Sequence, residues 1–537
     1  MECHQEPAQF QGEGSSHELA SLLLTECIQH SMFALNKPAY VLYLDARSAF
    51  DVVQRELLIK NLFIPGTHDP LLTYIDNRLN NRCTVLDWNG CLMGSINDQQ
   101  GLEQGGCSSS DFYKIYAREQ LRLAQRSELG VPLGPTIVSC IGQADDCVLI
   151  SNDIHSLSCL LTLTSLFCSK YQVDLCSEKT RLQVYSRDTF SGTDEYNPIS
   201  INGNVIPFSP EADHVGVLRS IDGNQPTLMA RFKAHRCALA SILFSGAAKN
   251  HRGNPAYSIR MERIYATPVL MSGLASLFLS RNDLVLIESH YCKTIRQLLC
   301  ISEKTHRCVA YFLAGSLPGS AVIHLRQLGL FSMICRLKNS ILHEHAVNYF
   351  SAVTISPKSW FTQIRDLCLM YRLPHPSIFL YSPLPKLEFK RLVKKRVIDY
   401  WEHQLRKEAT ELKSLKYFDP NFMSLVSPHP LWTTAGHSPS KVAMASVQAS
   451  MLSGRYPIDK LTRHWSLKVT GYCTLHDNCS NMMEDICHVL QHCTALNVAR
   501  LKLLDYTHSQ IKDLPQILQN LACPRFTNFL LDCFSIP

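Results

Sequence analysis

The pattern of apolar and polar positions divides the first part of the chain into short strands and helices. Residues 17–36 carry apolar side chains at helical spacing, which predicts a helix. Residues 39–44 (Ala-Tyr-Val-Leu-Tyr-Leu) form a continuous apolar run of strand length that stops at Asp45. The dipeptide Asn89-Gly90 lies between two apolar segments, so residues 83–100 are predicted to form a hairpin.

The remaining elements of this region alternate between helices and strand pairs. The pattern predicts two helices within 54–82 around Pro65-Gly66, helices at 108–129 and 154–172, a second hairpin at 136–150 with residues 143–146 as its turn, strands on both sides of Asn202-Gly203 and a strand at 214–218. The order is β-α-β-β-α-β, which is typical of an antiparallel sheet backed by helices. The predicted fold class is therefore α+β.

After about residue 225 the pattern becomes helical. Leu- and Ile-rich segments dominate, separated by Pro-rich loops at 373–385 and 427–440. Residues 386–416 are the most basic segment, with ten Lys/Arg and five Asp/Glu, and their apolar residues recur at helical spacing. The apolar stretch 265–280 is interrupted by Pro, Gly and hydroxyl residues, so it predicts a buried element rather than a membrane span.

Charge is distributed unevenly along the 537 residues. Residues 1–200 contain 14 Lys/Arg and 24 Asp/Glu, a net of −10, whereas residues 201–537 contain 38 and 22, a net of +16. The basic second part predicts a polyanionic partner. With 46% hydrophobic and 18% charged residues the chain can bury sizeable cores, which excludes an intrinsically disordered protein.

Cysteine content and the first residues predict the compartment. The chain contains 22 cysteines, a lower density than that of a small disulfide-stabilised scaffold. The first residues lack the basic and apolar regions of a signal peptide, and no run of 18 apolar residues occurs. We therefore expect reduced thiols in a soluble, intracellular protein of the nucleus, the cytoplasm or both, with no membrane partner.

Three acidic residues lie where the predicted strands end. Asp45 follows the first strand, and the adjacent Asp145 and Asp146 occupy the tip of the second hairpin. Neighbouring carboxylates repel each other unless a cation offsets their charge, and carboxylates from separate strands can hold the two Mg²⁺ ions of a phosphoryl-transfer site. The alternative is that the Asp-Asp pair is only a polar turn.

The motifs around these residues resemble those of non-LTR retrotransposon (LINE-type) reverse transcriptases. Five segments match in the family's order, namely 44–53, 101–109, 143–146, 178–180 and 214–217. Residues 101–109 fit the family motif Gly-x-x-Gln-Gly-x-x-x-Ser, and residues 143–146 (Gln-Ala-Asp-Asp) correspond to the family motif Tyr/Phe-Ala-Asp-Asp. The resemblance implies an RNA-directed DNA polymerase, a nucleotidyltransferase that extends a DNA primer on an RNA template with deoxynucleoside triphosphates. It also implies Mg²⁺, or Mn²⁺ in its place, as the catalytic metal.

The resemblance gives catalytic roles to four residues of this sequence. Asp45 and Asp145 are implied to be the principal metal ligands. Asp146 would be a third ligand or a support for them. Lys179 would protonate the leaving pyrophosphate or neutralise its charge, and a solvated surface lysine is the alternative for that residue.

Three further residues are implied to form the substrate pocket. Phe50 would lie under the incoming sugar, where a flat ring leaves no room for a 2′-hydroxyl and selects deoxynucleotides. Gln104 and Gly105 would line the nucleotide and template pocket, because Gly lets the backbone approach closely and Gln offers both a donor and an acceptor. The alternatives are a core position for Phe50 and a turn before a helix for the other two.

Two features depart from the family's pattern. Gln143 stands where most relatives have an aromatic residue that packs near the primer terminus. Residues 10–17 resemble the last fingers motif, so the sequence is expected to lack the N-terminal endonuclease and part of the fingers, with an element-encoded endonuclease as a separate partner. The alternative function is therefore a catalytically inactive, truncated or repurposed remnant that binds nucleic acid.

The resemblance also implies a domain layout. It gives partial fingers at 1–37, a right-hand polymerase palm at 38–222, a helical thumb at 223–300, a helical basic linker at 301–470 and a C-terminal zinc-knuckle-like region at 471–537. The thumb would contact the phosphates of an RNA–DNA hybrid through basic residues, namely Arg231, Lys233, Arg236, Arg252, Arg260 and Arg263. Solvated helix faces are the alternative for each of them.

Cysteine and histidine residues cluster near the C-terminus. Four of them follow the spacing Cys-x5-Cys-x8-His-x4-Cys, namely Cys473, Cys479, His488 and Cys493. A Cys3His set suits tetrahedral Zn²⁺, and the His-x4-Cys half resembles the zinc knuckle that ends many LINE-type proteins. His476 or Cys487 could substitute as a ligand. Ordinary reduced cysteines in helices are the alternative, and a zinc-dependent interaction module is a third candidate function.

Overall fold

The structure is a computed structural model of the chain. It describes residues 16–63, 69–80, 82–187, 199–244, 253–352, 358–412, 415, 418–454, 472–473, 479, 482, 488, 492–498 and 501. Several features of the sequence analysis lie outside these residues, namely the fingers motif up to residue 15, Pro65-Gly66, Arg252, His476 and Cys487. The chain divides into two compact units, one of Met1–Ala230, Gly273–Leu279 and Arg326–Lys390, the other of Arg231–Ser272, Ser280–Leu325 and Arg391–Pro537.

Strands occur only in the first unit among the described residues. They are β1 (Ala39–Leu44), β2 (Cys83–Trp88), β3 (Cys91–Asn97), β4 (Val131–Leu133), β5 (Thr136–Val138), β6 (Cys140–Gln143), β7 (Asp146–Ser151), β8 (Arg181–Tyr185), β9 (Ser200–Ile201), β10 (Asn204–Val205), β11 (Glu211–His214) and β12 (Val217–Ser220).

The described helices run through both units. They are α1 (His17–Phe33), α2 (Arg55–Phe63), α3 (Asp69–Asn80), α4 (Ser109–Arg126), α5 (Ile154–Tyr171), α6 (Gln225–Phe244), α7 (Pro255–Met261), α8 (Thr267–Met271), α9 (Arg281–Leu298), α10 (Arg307–Ala314), α11 (Gly319–Arg336), α12 (Ile341–Ser351), α13 (Trp360–Met370), α14 (Pro376–Tyr381), α15 (Lys386–Glu411), α16 (Pro430–Ala435) and α17 (Pro439–Leu452).

A four-stranded antiparallel sheet organises the first unit. The strand order is β6-β7-β1-β8, and every neighbouring pair is antiparallel. Strand β1 contacts both α1 and α5, so Val41 and Leu42 are fully buried at successive positions, which explains its continuous apolar sequence. Tyr116 of α4 and Phe167 of α5 belong to the same core. The predicted antiparallel sheet backed by helices is confirmed.

Two predicted strands have a different form in the structure. The segment 136–142, predicted as one strand, is two strands separated at Ser139, because β5 pairs with β4 whereas β6 pairs with β7. The predicted strand at 214–218 is not continuous: His214 ends β11, Val217 and Leu218 begin β12, and Val215-Gly216 form the turn between them. Val215 and Gly216 have positive φ angles of 47° and 74°, as a tight hairpin turn requires.

The Pro-rich segments of the second half are not only loops. Helices α14 and α16 begin at Pro376 and Pro430, because the fixed φ of proline suits the first helical position. The segment 265–280 is largely buried, as predicted. Among the described residues no single helix is long and apolar enough to span a membrane, and α10 and α11 pass that test only as a pair bent by 64°.

A buried carboxylate ties α1 to α12 and α13 inside the first unit. Glu26 is 1% exposed and accepts hydrogen bonds from the Trp360 backbone N–H (2.7 Å) and the Ser359 hydroxyl (2.8 Å). Its Oε2 also lies 3.2 Å from His345 Nε2. A buried carboxylate is costly without such partners, so this network fixes the relative position of the three helices.

Close backbone contacts shape the second unit. Gly315 ends α10 with a φ of 56°, and an added Cβ would lie 1.9 Å from the Ser427 carbonyl oxygen, so only glycine fits. Arg263 donates through Nη2 to the carbonyls of Ala314 (3.4 Å) and Gly315. Arg263, expected from the resemblance to contact phosphates, is therefore engaged with the end of α10.

Candidate active site

Strand pairing brings the predicted carboxylates to one end of the central sheet. Leu44, the last residue of β1, pairs with Cys147 of β7. Asp45 comes directly after Leu44 and Asp146 directly before Cys147, so the same register sets the two aspartates opposite each other. Asp45 lies one residue beyond the last residue pair of the β1–β7 ladder, so the two carboxylates flank that pair at the same end of the sheet.

Asp145 belongs to the two-residue turn between β6 and β7. Gln143 pairs with Asp146 across the hairpin, and Ala144 and Asp145 form the turn between them. Ala144 has a φ of 54°, which is uncommon for a residue with a Cβ. Both Asp145 and Asp146 are exposed, so the turn presents two adjacent carboxylates to solvent.

Negative charge accumulates at this end of the sheet. Although Asp146 as a residue is exposed, partial desolvation of its carboxyl group raises its pKa, and the charges of Asp145, Asp45 and Asp213 raise it further. His17 acts in the opposite direction. A bound cation would offset this repulsion, and hard carboxylate oxygens are the ligands that Mg²⁺ prefers. The residues present therefore fit the metal that the sequence analysis expects.

The segment before β8 holds the loop after β1 and carries Lys179 to it. The Cys176 N–H donates to the Asp45 carbonyl, and the Arg47 N–H donates to the Asp174 carbonyl, both at 2.8 Å. Lys179 Nζ lies 3.6 Å from Asp45 Oδ2, and its side chain is 71% exposed. Such an exposed ion pair adds little stability, so Lys179 is free to move to a nearby anion.

Phe50 lies beside the same hairpin turn. Its ring stacks on that of Tyr113, with centroids 4.9 Å apart and planes inclined by 28°. Helix α4, which carries Tyr113, contacts β6, the strand that leads into the turn. Burial raises the pKa of Tyr113, and the charge of Asp145 raises it further. Phe50 is itself half-buried, so part of its ring remains accessible.

The segment that precedes Gln104 is fastened to the loop after β1. The Leu102 N–H donates to the Phe50 carbonyl (2.8 Å), and the Gly101 N–H donates to the Val53 carbonyl (2.9 Å). A Cβ on Gly101 would lie 2.7 Å from the Asp51 carbonyl oxygen, and its φ is 86°. Both facts require glycine here, because the two backbones pass too closely for any side chain.

Gln104 and Gly105 follow directly after the segment that is hydrogen-bonded to the loop after β1. Gln104 Nε2 donates to Asp51 Oδ1 at 3.3 Å, and Gly105 has a φ of 86° with open space around its Cα. Both residues lie before α4, so the turn foreseen as the alternative exists. The same turn is nevertheless joined to the segment that carries Asp45 and Phe50.

Arg55 is a component that the sequence analysis missed. Its side chain is 5% exposed and donates to three carbonyls of the facing segment, those of Asp98 (2.5 Å), Gln100 (3.0 Å) and Gly101 (3.1 Å). Burial lowers its pKa, and the charge of Arg82 lowers it further. The sequence offers no clear signal for this contact, because an arginine at a helix start usually faces solvent.

Two buried polar side chains near the site have atoms without a hydrogen-bond partner among the described residues. Gln143 is 8% exposed and its Oε1 has none. His214 is 2% exposed and neither ring nitrogen has one, while burial and then Arg219 and His17 lower its pKa well below the usual range. Its ring centroid lies 6.1 Å from that of Tyr43 in β1. Buried polar atoms of this kind call for a ligand or water.

Residues 6–204 match the family model of the reverse transcriptase (RNA-dependent DNA polymerase). The chain contains a reverse transcriptase domain. Asp45, Asp145, Phe50, Gln104 and Lys179 all lie within the matched residues, as does the whole central sheet. Members of that family are RNA-directed DNA polymerases, which are nucleotidyltransferases that act on RNA templates.

Two solved telomerase structures are similar to this chain at low scores. Telomerase from Candida tropicalis, in complex with a TWJ fragment of telomeric RNA, is 13% identical with a TM-score of 0.29, over 60% of this chain and 51% of that one. Telomerase from Candida albicans, in the corresponding complex, is 13% identical with a TM-score of 0.28, over 66% and 54%. The chain spans about half the length of these telomerase chains. No curated protein matches it.

The Cys/His residues near the C-terminus come together in the structure. The donor atoms of Cys473, Cys479, His488 and Cys493 all lie within 4.8 Å of one another, and all four residues are buried. Backbone turns position them: the Cys473 N–H donates to the Met482 carbonyl (2.9 Å), and the Met482 N–H to that of Cys479 (2.8 Å). The Cys493 N–H donates to the His488 carbonyl at 2.7 Å.

This donor set fits Zn²⁺. The sulfurs of Cys473 and Cys493 are 3.9 Å apart, which is too far for a disulfide. Tetrahedral Zn–S bonds of ~2.3 Å would separate two sulfurs by about 3.8 Å. Hydrogen bonds from Thr494 lower the pKa of the Cys479 thiol, which favours the thiolate form that binds metal.

Proposed function

We propose that this chain is an RNA-directed DNA polymerase of the non-LTR retrotransposon (LINE) type that adds deoxynucleotides to a primer 3′ end. The observation that carries the proposal is the convergence of Asp45, Asp145 and Asp146 at one end of the sheet, inside the reverse transcriptase domain. Carboxylates from two strands at one point are the ligand set of two-metal phosphoryl transfer.

Asp45, Asp145 and Asp146 would hold two Mg²⁺ ions, which when bound would lower the pKa of the primer 3′-hydroxyl and offset charge on the leaving pyrophosphate. The position of the three carboxylates at one end of the sheet supports this assignment, because neighbouring carboxylates repel each other unless a cation offsets their charge. Lys179 would supply a positive charge, and a proton, to the pyrophosphate. Its exposure and its 3.6 Å approach to Asp45 give it the reach for that role.

Phe50 would select deoxynucleotides. The Tyr113 ring supports one side of Phe50, so the phenyl ring cannot retreat from a 2′-hydroxyl on the other side. Gln104 and Gly105 would line the nucleotide and template pocket, with the Asp51 hydrogen bond orienting the Gln104 amide. A fixed ring and a fixed amide are what discrimination by shape requires.

The other parts of the chain would serve the nucleic acid. Residues 38–222 would be the palm, 223–300 the thumb and 301–470 the linker, with partial fingers before them. Lys233 and Arg236 are exposed on α6 and Arg260 on α7, which suits contacts to the phosphates of an RNA–DNA hybrid. The Cys3His cluster would hold a structural Zn²⁺ in a zinc-knuckle-like region, supported by its donor geometry.

A primer-extension assay on an RNA template tests the proposed function. We expect Mg²⁺-dependent extension that Asp145→Asn abolishes. Asp366→Asn is the matched control, because it removes the same charge from an exposed position on α13 and should leave extension unchanged. Absence of any extension by the unaltered chain, or full activity of Asp145→Asn, would refute the catalytic assignment.

The second candidate is a nucleic-acid-binding protein without polymerase activity. Gln143 favours it, because this residue replaces an aromatic side chain of the family motif and its Oε1 is buried without a partner among the described residues. This candidate predicts salt-sensitive RNA binding with no nucleotide incorporation. The same assay separates the two candidates.

A further inference from the structure

Helix α15 has one buried face and one strongly basic face. Phe389, Val393 and Val397 are at most 3% exposed, whereas five cations in the same stretch are exposed, namely Lys390, Arg391, Lys394, Lys395 and Arg396. With 3.6 residues per turn the first four lie within about 140° of each other around the helix axis, and Arg396 lies about 100° away from the nearest of them. We call the first four the cation quartet. Because α15 is one uninterrupted helix, this arrangement follows from helix geometry alone.

The quartet concentrates charge without acidic partners. Within the described residues none of the four makes an ion pair, although Glu388 lies three residues before Arg391 and Asp399 four residues after Lys395 on the same helix. Lys390 and Lys394 are four residues apart, as are Arg391 and Lys395, and like charges at this spacing destabilise an isolated helix. The sequence therefore places cations where folding alone does not favour them.

The C-terminal half of α15 differs. Arg406 donates to Glu402 (2.9 Å) and to the Met423 carbonyl (3.0 Å), and Glu408 pairs with Arg307 at 3.0 Å. Charges in this half are used to pack the helix. The contrast within one helix indicates that the quartet has an external partner rather than a structural role.

We propose that the cation quartet binds the phosphate backbone of single-stranded RNA. Lys and Arg side chains only donate hydrogen bonds, so the quartet fits phosphates, which carry no base sequence. Leu387, 66% exposed, projects from the same side of the helix, between Lys390 and Arg391 around the axis. An exposed apolar side chain among cations suits a strand whose base faces are free, since a duplex hides its base faces. The proposal rests on the proposed function only in naming RNA as the strand.

Equilibrium binding of a labelled oligouridylate to the full chain, without Mg²⁺ or nucleotides, tests the proposal. Each phosphate contact to a single strand contributes a slope of about −0.7 to the dependence of log K on log salt. Changing all four residues of the quartet to Gln should therefore reduce the slope by about 2 to 3 and weaken binding on the order of 100-fold at low salt. Leu387→Ser should weaken binding without changing the slope.

Two control variants separate the quartet from net charge and from folding. The first removes the same charge from scattered exposed positions by changing four residues to Gln, namely Lys293, Lys338, Lys407 and Lys441. The second keeps the charge by changing the three lysines of the quartet to Arg, and it should bind like the unaltered chain. Gln is a good helix former, so α15 should remain intact, as circular dichroism would verify.

The outcomes are distinct. A loss of slope confined to the quartet variant supports the proposal. An unchanged slope overturns it, and so does an equal loss in the scattered-lysine variant. A quartet variant that loses binding to duplex DNA or to an acidic peptide but retains RNA binding also overturns it. A chain that binds RNA through the quartet but extends no primer would refute the proposed polymerase function alone.

Discussion

Arg55 provides the sharpest test of how the candidate site is held together. Its guanidinium fork joins the start of α2 to the carbonyls of Asp98, Gln100 and Gly101. That segment continues into Gln104 and Gly105. Arg55→Met keeps the aliphatic stem and removes all three hydrogen bonds, so the substitution should loosen the pocket segment without touching the carboxylates.

The size of the effect follows from the three bonds. Hydrogen bonds from a charged group each contribute about 1.5–3 kcal/mol, but two of the three carbonyls belong to residues that water can reach after the change. We therefore expect a net loss of about 2–3 kcal/mol in the free energy of unfolding of this unit. If the same looseness weakens nucleotide binding by about 1.4 kcal/mol, the KM for deoxynucleotide rises about tenfold.

Steady-state primer extension and denaturant unfolding measure these two quantities. Because Arg55 would act as a positioning residue, KM should rise more than kcat falls, whereas loss of Asp145 should abolish kcat. Arg55→Lys should rescue little, since one ammonium cannot replace a three-way fork. Arg82→Met is the matched control, because the contact that the Arg82 side chain makes with this segment in the described part of the chain is a partly exposed ion pair with Asp98 at 3.7 Å. Equal KM values in the Arg55→Met and Arg82→Met variants would refute the reasoning.

Three further predictions concern other parts of the chain. Phe50→Val should raise the ratio of ribonucleotide to deoxynucleotide incorporation on the order of tenfold, measured by single-nucleotide extension with each substrate. Tyr113→Phe keeps the stacked rings and should leave this ratio unchanged. Cys493→Ser should abolish zinc in elemental analysis of the purified chain, and Cys159→Ser, at an exposed position, should retain it. Burial lowers the pKa of His429 from 6.5 to about 4, so its contribution to stability is complete above pH 6.5 and is lost as the pH falls towards 4. Asn at position 429 can still accept the hydrogen bond from the Leu431 N–H but does not titrate. When the pH falls from 7 to 5, the free energy of unfolding of His429→Asn, measured by denaturant unfolding, should therefore decrease by about 2 kcal/mol less than that of the unaltered chain. An equal decrease in both proteins would contradict this prediction.

The local sequence pattern was sufficient to predict elements that depend on neighbouring residues alone. Strand β1 has the predicted bounds because both of its faces contact helices, which makes every position apolar. The Asn89-Gly90 turn follows from backbone conformation, since Asn89 and Gly90 both have positive φ angles. Asp45 and Asp146 were expected to share a metal site because each lies at the end of a predicted strand within a family motif, and the pairing of Leu44 with Cys147 brings both to the same end of the sheet.

Long-range contacts left no such pattern. Glu26 meets His345 and Trp360 from 319 and 334 residues away, and nothing near Glu26 in the sequence announces these partners. Ser139 divides an apolar run that has the composition of a single strand. The residues before Ser139 pair with β4 and those after it pair with β7, so the run forms two strands. Arg55 lies at the start of a helix, where an arginine is usually solvated. It is buried because carbonyls of the facing segment accept its hydrogen bonds.

The carboxylates around Asp146 and the cation quartet of α15 attract ligands of opposite charge. Burial of its carboxyl group, and then the charges of Asp145, Asp45 and Asp213, raise the pKa of Asp146, so this end of the sheet favours metal ions and repels a bare phosphate backbone. Lys179, paired with Asp45, is too exposed to reverse that balance. A polymerase built on this site must therefore hold its nucleic acid through cations placed elsewhere and admit phosphate to the carboxylates only together with metal. The unpaired quartet of α15 supplies such a cation cluster, so removing it should weaken template binding while leaving the response of the carboxylates to Mg²⁺ unchanged.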